Sequence, residues 1–85
     1  MRIKITELNE DIFSTSDLAL AAILSIWFPL QKVDKRNPRR ALFVFHRSKK
    51  LDNLLKKYWE KKLAIEPRQY FDQLKSLKAR LYSNE

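Results

Sequence analysis

Arg39-Arg40-Ala41-Leu42-Phe43-Val44-Phe45-His46 is the stretch around which the rest of the chain has to be arranged. From Arg40 to His46 the side chains alternate, with Ala41, Phe43 and Phe45 on one side and Leu42, Val44 and His46 on the other. Both rows are largely apolar. A strand of this kind belongs in the middle of a sheet with cover on each side, so its neighbours in sequence must supply further strands and helices.

Leu30 to Asp34 reads as the preceding strand, and Lys35-Arg36-Asn37-Pro38 as the turn between the two, since Asn and Pro bring turn geometry where glycine is missing. On the downstream side Ser48 can cap a helix whose Leu51, Leu54, Leu55, Tyr58 and Trp59 follow the i, i+3, i+4, i+7, i+8 spacing of one buried stripe. Lys49, Lys50, Lys56, Lys57 and Lys61 fall on its outer face, with Asp52 and Glu60 among them. Leu63-Ala64-Ile65 reads as a short further strand. Pro67 then suits the first turn of a last helix, where its missing amide hydrogen costs nothing, and Tyr70, Phe71, Leu74, Leu77, Leu81 and Tyr82 form the stripe of that helix.

Upstream, Ser14-Thr15-Ser16-Asp17 offers side-chain oxygens to the free amides of a helix running from about Asp17 to Trp27. That helix is apolar all round, as expected of one buried on several sides or sharing a subunit contact, and Pro29 ends it by disfavouring helical geometry at Phe28. Ile3 and Ile5 alternate with Arg2, Lys4 and Thr6 as an edge strand would, while Asp11-Ile12-Phe13 is an equal candidate for the first strand. The expected order is β-α-β-β-α-β-α: a single α+β domain over residues 1–85 with a ferredoxin-like sheet and an extra C-terminal helix.

Composition removes many functions. Eighty-five residues without cysteine can hold neither a disulfide framework nor a thiolate metal site, which points to a reducing, cytoplasmic setting. There is no glycine either, so a phosphate-cradling loop, a dinucleotide fingerprint and a GXXG nucleotide clamp are all ruled out. The longest uncharged stretch, Leu18 to Gln31, is fourteen residues, short of the ~20 that span a bilayer. The acidic residues ahead of it, Glu7, Glu10, Asp11 and Asp17, speak against a signal peptide. Charge is distributed unevenly within a net +8: residues 32–62 carry twelve basic and three acidic side chains, against two and four in residues 1–31. The middle of the chain therefore carries the positive field.

Ser14-Thr15-Ser16-Asp17-Leu18-Ala19-Leu20-Ala21-Ala22, Phe43-Val44-Phe45, Tyr58-Trp59 and Leu77-Lys78-Ala79-Arg80-Leu81-Tyr82 together resemble an uncharacterised family of short microbial and phage-type proteins, domain of unknown function 5659. The quoted segments are mostly capping and core residues. The resemblance implies shared architecture and no known activity, and this chain departs from the family pattern after Tyr58-Trp59, where Glu60-Lys61-Lys62 stands in place of a segment with glycine.

Little in the chain invites catalysis. His46 is the only histidine, and beside Arg47 on a strand it reads as a packed or surface residue rather than a general base. Tetrahedral zinc would need several Cys or His ligands, and the carboxylates are scattered. Asp11 and Asp17 read as a solvated face. Basic residues ahead of Phe43 and Phe45 invite comparison with the aromatic strand of RNA-recognition domains, yet the glycines of that strand are missing and the last helix is placed to cover the rings, so both read as core. No enzyme activity and no cofactor are expected.

The basic constellation is the strongest functional signal. Lys35, Arg36, Arg39 and Arg40 surround one turn, and Arg47, Lys49, Lys50, Lys56 and Lys57 lie at and along the next helix, where they can converge on one phosphate-binding surface. The expectation is a small basic accessory protein of the kind carried by viruses or mobile elements, binding DNA or RNA through phosphates with low sequence specificity. The competing reading is a protein-interaction or homodimerisation module, with the first helix and Trp27-Phe28 as its contact and a merely solvated basic face that meets an acidic partner. Binding to a membrane surface ranks third.

Overall fold

Alternation and capping account for most of the architecture in a computed structural model that describes residues 6–8, 11–37 and 39–83. The elements run β1 (Thr6–Leu8), β2 (Ile12–Thr15), α1 (Leu18–Trp27), β3 (Leu30–Asp34), β4 (Leu42–His46), α2 (Lys49–Trp59) and α3 (Pro67–Leu81). The strands form one antiparallel sheet in the order β1-β2-β4-β3. The chain is thus α+β, with β4 central as its two apolar rows require.

Half of the ferredoxin-like arrangement is present. Strands β2 and β3 both run antiparallel to β4, hence parallel to each other, and α1 connects them with β4 inserted between: a split βαβ unit. The other half differs from the expected order. Leu63-Ala64-Ile65 forms no strand, and the edge beside β2 is occupied by β1. With that row of backbone groups already paired to β1, and with Pro67 about to start a helix, residues 63–65 do not take the place beside β2. Of the two candidates for a first strand, Asp11-Ile12-Phe13 is met by β2, and the Ile3–Ile5 segment lies outside the described residues.

Pairing sets the core face. Phe13 opposes Phe45, while Thr15 and Val33 both oppose Phe43. These rings share one core with Leu20 and Leu24 of α1, Leu51 of α2 and Leu77 of α3, and Phe45 is 0% exposed. On the opposite row Val44 and Ser14 are buried, whereas His46 is exposed, so the second apolar face narrows to a small centre. Helix α1 packs chiefly against α3, and its Leu20, Ala21, Ala22, Ile23 and Leu24 are all buried. An apolar circumference is needed because the helix has the sheet on one side and a second helix on another.

Each helix begins where its cap dictates. The Asp17 carboxylate accepts from the amides of Ala19 and Leu20 at 3.0 and 3.2 Å, Ser48 Oγ accepts from Leu51 N at 3.1 Å, and Glu66 accepts from Gln69 N at 2.8 Å ahead of Pro67. Phe28 takes the extended conformation that Pro29 demands and closes α1.

Three aromatic residues assigned to buried stripes are exposed instead: Trp59 at 66%, Phe71 at 62% and Tyr82 at 77%. Helix rotation explains this. At about 100° per residue, Trp59 lies about 80° round from Leu51, and Phe71 and Tyr82 lie about 120° and 140° round from Leu77, beyond the edge of the buried stripe. Tyr58, by contrast, is half-buried and stands edge-on to Trp59 with ring centroids 4.8 Å apart. Its burial raises the phenol pKa above the usual value, with Asp17 and Tyr70 adding to the shift.

The end of α2 shows how the chain manages without glycine. Lys62 N donates to Lys57 O at 2.9 Å and Lys61 N to Tyr58 O at 3.1 Å, and Lys61 adopts φ 62°. This is a Schellman closure with lysine in the left-handed position that glycine normally takes. A left-handed non-glycine residue costs roughly 1–2 kcal/mol, partly offset because lysine has less backbone freedom to lose than glycine. Lys61→Gly is therefore expected to stabilise the fold by about 0.5–1 kcal/mol, and Lys61→Val to destabilise it; urea denaturation of the three proteins measures both shifts.

Candidate functional site

The cations of the β3–β4 turn come first, because the turn itself is built to hold them outward. Two short polar side chains replace the missing glycine: Asp34 Oδ1 accepts from Arg36 N at 3.0 Å, and Asn37 Oδ1 accepts from Arg39 N at 2.9 Å. Arg40 N then donates to Asn37 O at 3.1 Å to close the turn. Each is a local side-chain or backbone bond that fixes direction without positive φ. Arg36, Arg39 and Arg40 are exposed as a result.

These side chains are not equivalent. The Arg36 guanidinium forks onto the Asp34 carboxylate, with Nη2 to Oδ2 at 2.6 Å and Nε to Oδ1 at 3.0 Å. Its own side chain remains 88% exposed, so it presents one face to solvent while its charge is partly answered. The same bonds hold Asp34 well below the usual carboxylate value of 3.8, at about 2. Since the folded-state pKa is the lower one, the stabilising contribution is present above about pH 4 and fades as the pH falls toward 2. Asp34→Asn is expected to flatten that part of an acid unfolding curve followed by circular dichroism.

Lys35 is turned inward, toward the end of α3. Its Nζ donates to Arg80 O and Ser83 O, both at 2.9 Å, opposing the negative end of the helix dipole. An ammonium has three donors, and the third makes no bond among the described residues. Arg39 and Arg40 form no ion pair among the described residues.

Docking of α3 against the turn produces two adjoining clefts that share Lys35. One, of about 630 Å³, has Lys35, Arg39 and Arg40 on its polar side and Leu18, Leu81 and Tyr82 on its apolar side. The other, of about 470 Å³, is lined by Lys32, Val33, Lys35, Arg36 and Arg80. Six cations thus meet at one end of the molecule. Lys32, Arg80 and Tyr82 were not among the phosphate-binding residues expected from sequence. Lys32 is exposed and pairs with Val44, but a bulge between Leu30 and Lys32 breaks the alternation that could have placed it; Arg80 is 45 residues from Lys35 and only folding joins them.

The cations of α2 lie elsewhere. Lys50 and Lys57, one stripe apart on the helix, line a groove with Lys62, Leu54, Leu63 and the half-exposed Trp27. Lys49 and Lys56 are exposed beside it. Arg47 pairs with Asp52 through Nε at 3.2 Å, which ties the start of α2 to the end of β4. The groove and the two clefts have no lining residue in common: of the nine basic residues expected to act together, Lys35, Arg36, Arg39 and Arg40 line the turn clefts, Lys50 and Lys57 line the groove, and Arg47, Lys49 and Lys56 line none of the three. The turn clefts take their further cation, Arg80, from α3.

Other expected features find their places. Phe43 and Phe45 are buried, and a base cannot stack on a ring that α1 and α3 cover. Helix α1 spends its apolar surface inside the molecule, leaving Trp27 as its exposed apolar end. His46 is exposed. Among the described residues no cluster of three His, Cys, Asp or Glu is placed to hold a metal ion, and no helix is long and apolar enough to cross a membrane.

Among known families, the one described as a domain of unknown function (DUF5659) has a model that matches residues 10–83. No curated protein and no solved structure matches the chain.

Proposed function

The chain belongs to the family described as a domain of unknown function (DUF5659), which assigns no activity, and from its own surface we propose that it is a small nucleic-acid-binding accessory protein that grips phosphates with low sequence specificity. The observation that supports this reading is the meeting of Lys32, Lys35, Arg36, Arg39, Arg40 and Arg80 around two adjoining clefts, with Asp34 the acidic side chain held among them. Arginine forks match phosphate oxygens, lysine adds point charge, and both displace counterions without reading bases. A net charge of +8 on 85 residues adds long-range attraction to any polyanion. An accessory role of this kind, in the cytoplasm of a host or carried on a mobile element, needs no cofactor.

The test is fluorescence polarisation with labelled DNA and RNA over a salt series. Binding through four to six phosphates should weaken steeply as salt rises, with a log–log slope of roughly −3 to −5. Affinity that ignores salt, or no binding at low salt, removes the proposal. Sedimentation on the same samples separates it from the homodimer reading, for which a concentration-dependent dimer indifferent to nucleic acid is the required result.

A further inference from the structure

The larger cleft holds more than charge, and its apolar half is unexplained by phosphate contact. Leu18 and Leu81 form a half-buried wall, and the Tyr82 ring stands 77% exposed at the C-cap of α3, on the same cleft as Lys35, Arg39 and Arg40. Among the described residues no carboxylate lines it. A duplex keeps its bases stacked inside and offers a protein surface of this shape only its phosphates. An unpaired strand offers phosphates together with flat rings, and base–aromatic stacking beside a positive groove is how such strands are held without sequence preference. The volume of about 630 Å³ falls within the roughly 300–1,000 Å³ of sites that enclose small ligands, room for a base and its sugar.

We infer that this cleft takes single-stranded nucleic acid, one base lying against Tyr82 and the leucine wall while the flanking phosphates meet Arg39, Arg40 and Lys35. The inference rests on the nucleic-acid reading above and specifies its ligand. Tyr82 acts here by its ring face, so its hydroxyl is dispensable. Because the side chain lies in solvent, its removal leaves the core untouched.

The experiment uses the full chain with three labelled probes of equal length at low salt: oligothymidine, an abasic strand and a duplex. Tyr82→Ala is expected to weaken oligothymidine binding by about 5- to 100-fold, to leave the abasic strand and the duplex within about twofold, and to be rescued by Tyr82→Phe. Equal weakening on all three probes, or no change on oligothymidine, overturns the inference. Its failure is distinguishable from failure of the broader reading: if the unaltered protein binds all three probes and Tyr82→Ala changes none, phosphate binding stands and the base site falls, whereas an unaltered protein that binds no probe removes both.

Discussion

Arg39→Glu combined with Arg40→Glu should all but abolish polyanion binding while leaving the fold intact. Hydrogen bonds to charged groups contribute about 1.5–3 kcal/mol each, so losing two reduces affinity by on the order of 100-fold or more, and the reversed charges add repulsion. The salt slope should fall by about 2, one for each phosphate contact removed. Both residues are exposed and form no ion pair among the described residues, and surface changes of that kind usually stay within about 0.5 kcal/mol. The thermal midpoint is the control. Charge reversal of Lys49 and Lys56 on α2 provides the matched comparison, since those lysines line neither turn cleft. A larger loss from the α2 pair than from the turn pair would relocate the site.

Phe45→Ala should come close to unfolding the protein. The ring is fully buried on the central strand and shares its core with all three helices, and truncations of this type cost about 3–5 kcal/mol. An 85-residue domain has a total stability of roughly 4–13 kcal/mol, so a large share of it is lost. With a urea dependence of about 1–1.5 kcal/mol per molar, the midpoint should drop by about 2–5 M. Phe71→Ala is the internal control, because the same side chain at 62% exposure should shift the midpoint by less than about 0.5 M. Comparable losses at the two positions would mean that the face assignment of α3 is wrong.

Those two phenylalanines also mark where sequence is informative. Phe45 could be placed because strand alternation has a period of two residues and needs no partner to be read. Asp17, Ser48 and Pro67 could be placed as helix starts because caps act within three residues of themselves. Phe71, Tyr82 and Trp59 could not be placed by counting apolar positions, since the width of a helix's buried stripe depends on how it is rotated against its neighbours. The identity of the second edge strand was hidden for a similar reason: residues 63–65 read as a short strand, whereas Thr6–Leu8 takes the edge beside β2, and only pairing decides such a choice.

The candidate site divides in the same way. Arg39 and Arg40 were legible because a glycine-free turn before a central strand has nowhere to put them except in solvent. The inward turn of Lys35 and the Arg36–Asp34 fork were not, because each depends on a partner chosen by the folded chain. Arg80 joins the cluster only because α3 docks with its C-terminal end beside the β3–β4 turn, a juxtaposition across 45 residues that no local pattern encodes.

The bond from Lys35 to the carbonyls of Arg80 and Ser83 makes one ammonium common to a ligand's grip and to a helix's last turn. Anything that immobilises this lysine should slow opening of the last turn of α3, and anything that draws it away should release that turn, so occupancy of the β3–β4 turn is expected to register in the deuterium uptake of amides far along the polypeptide.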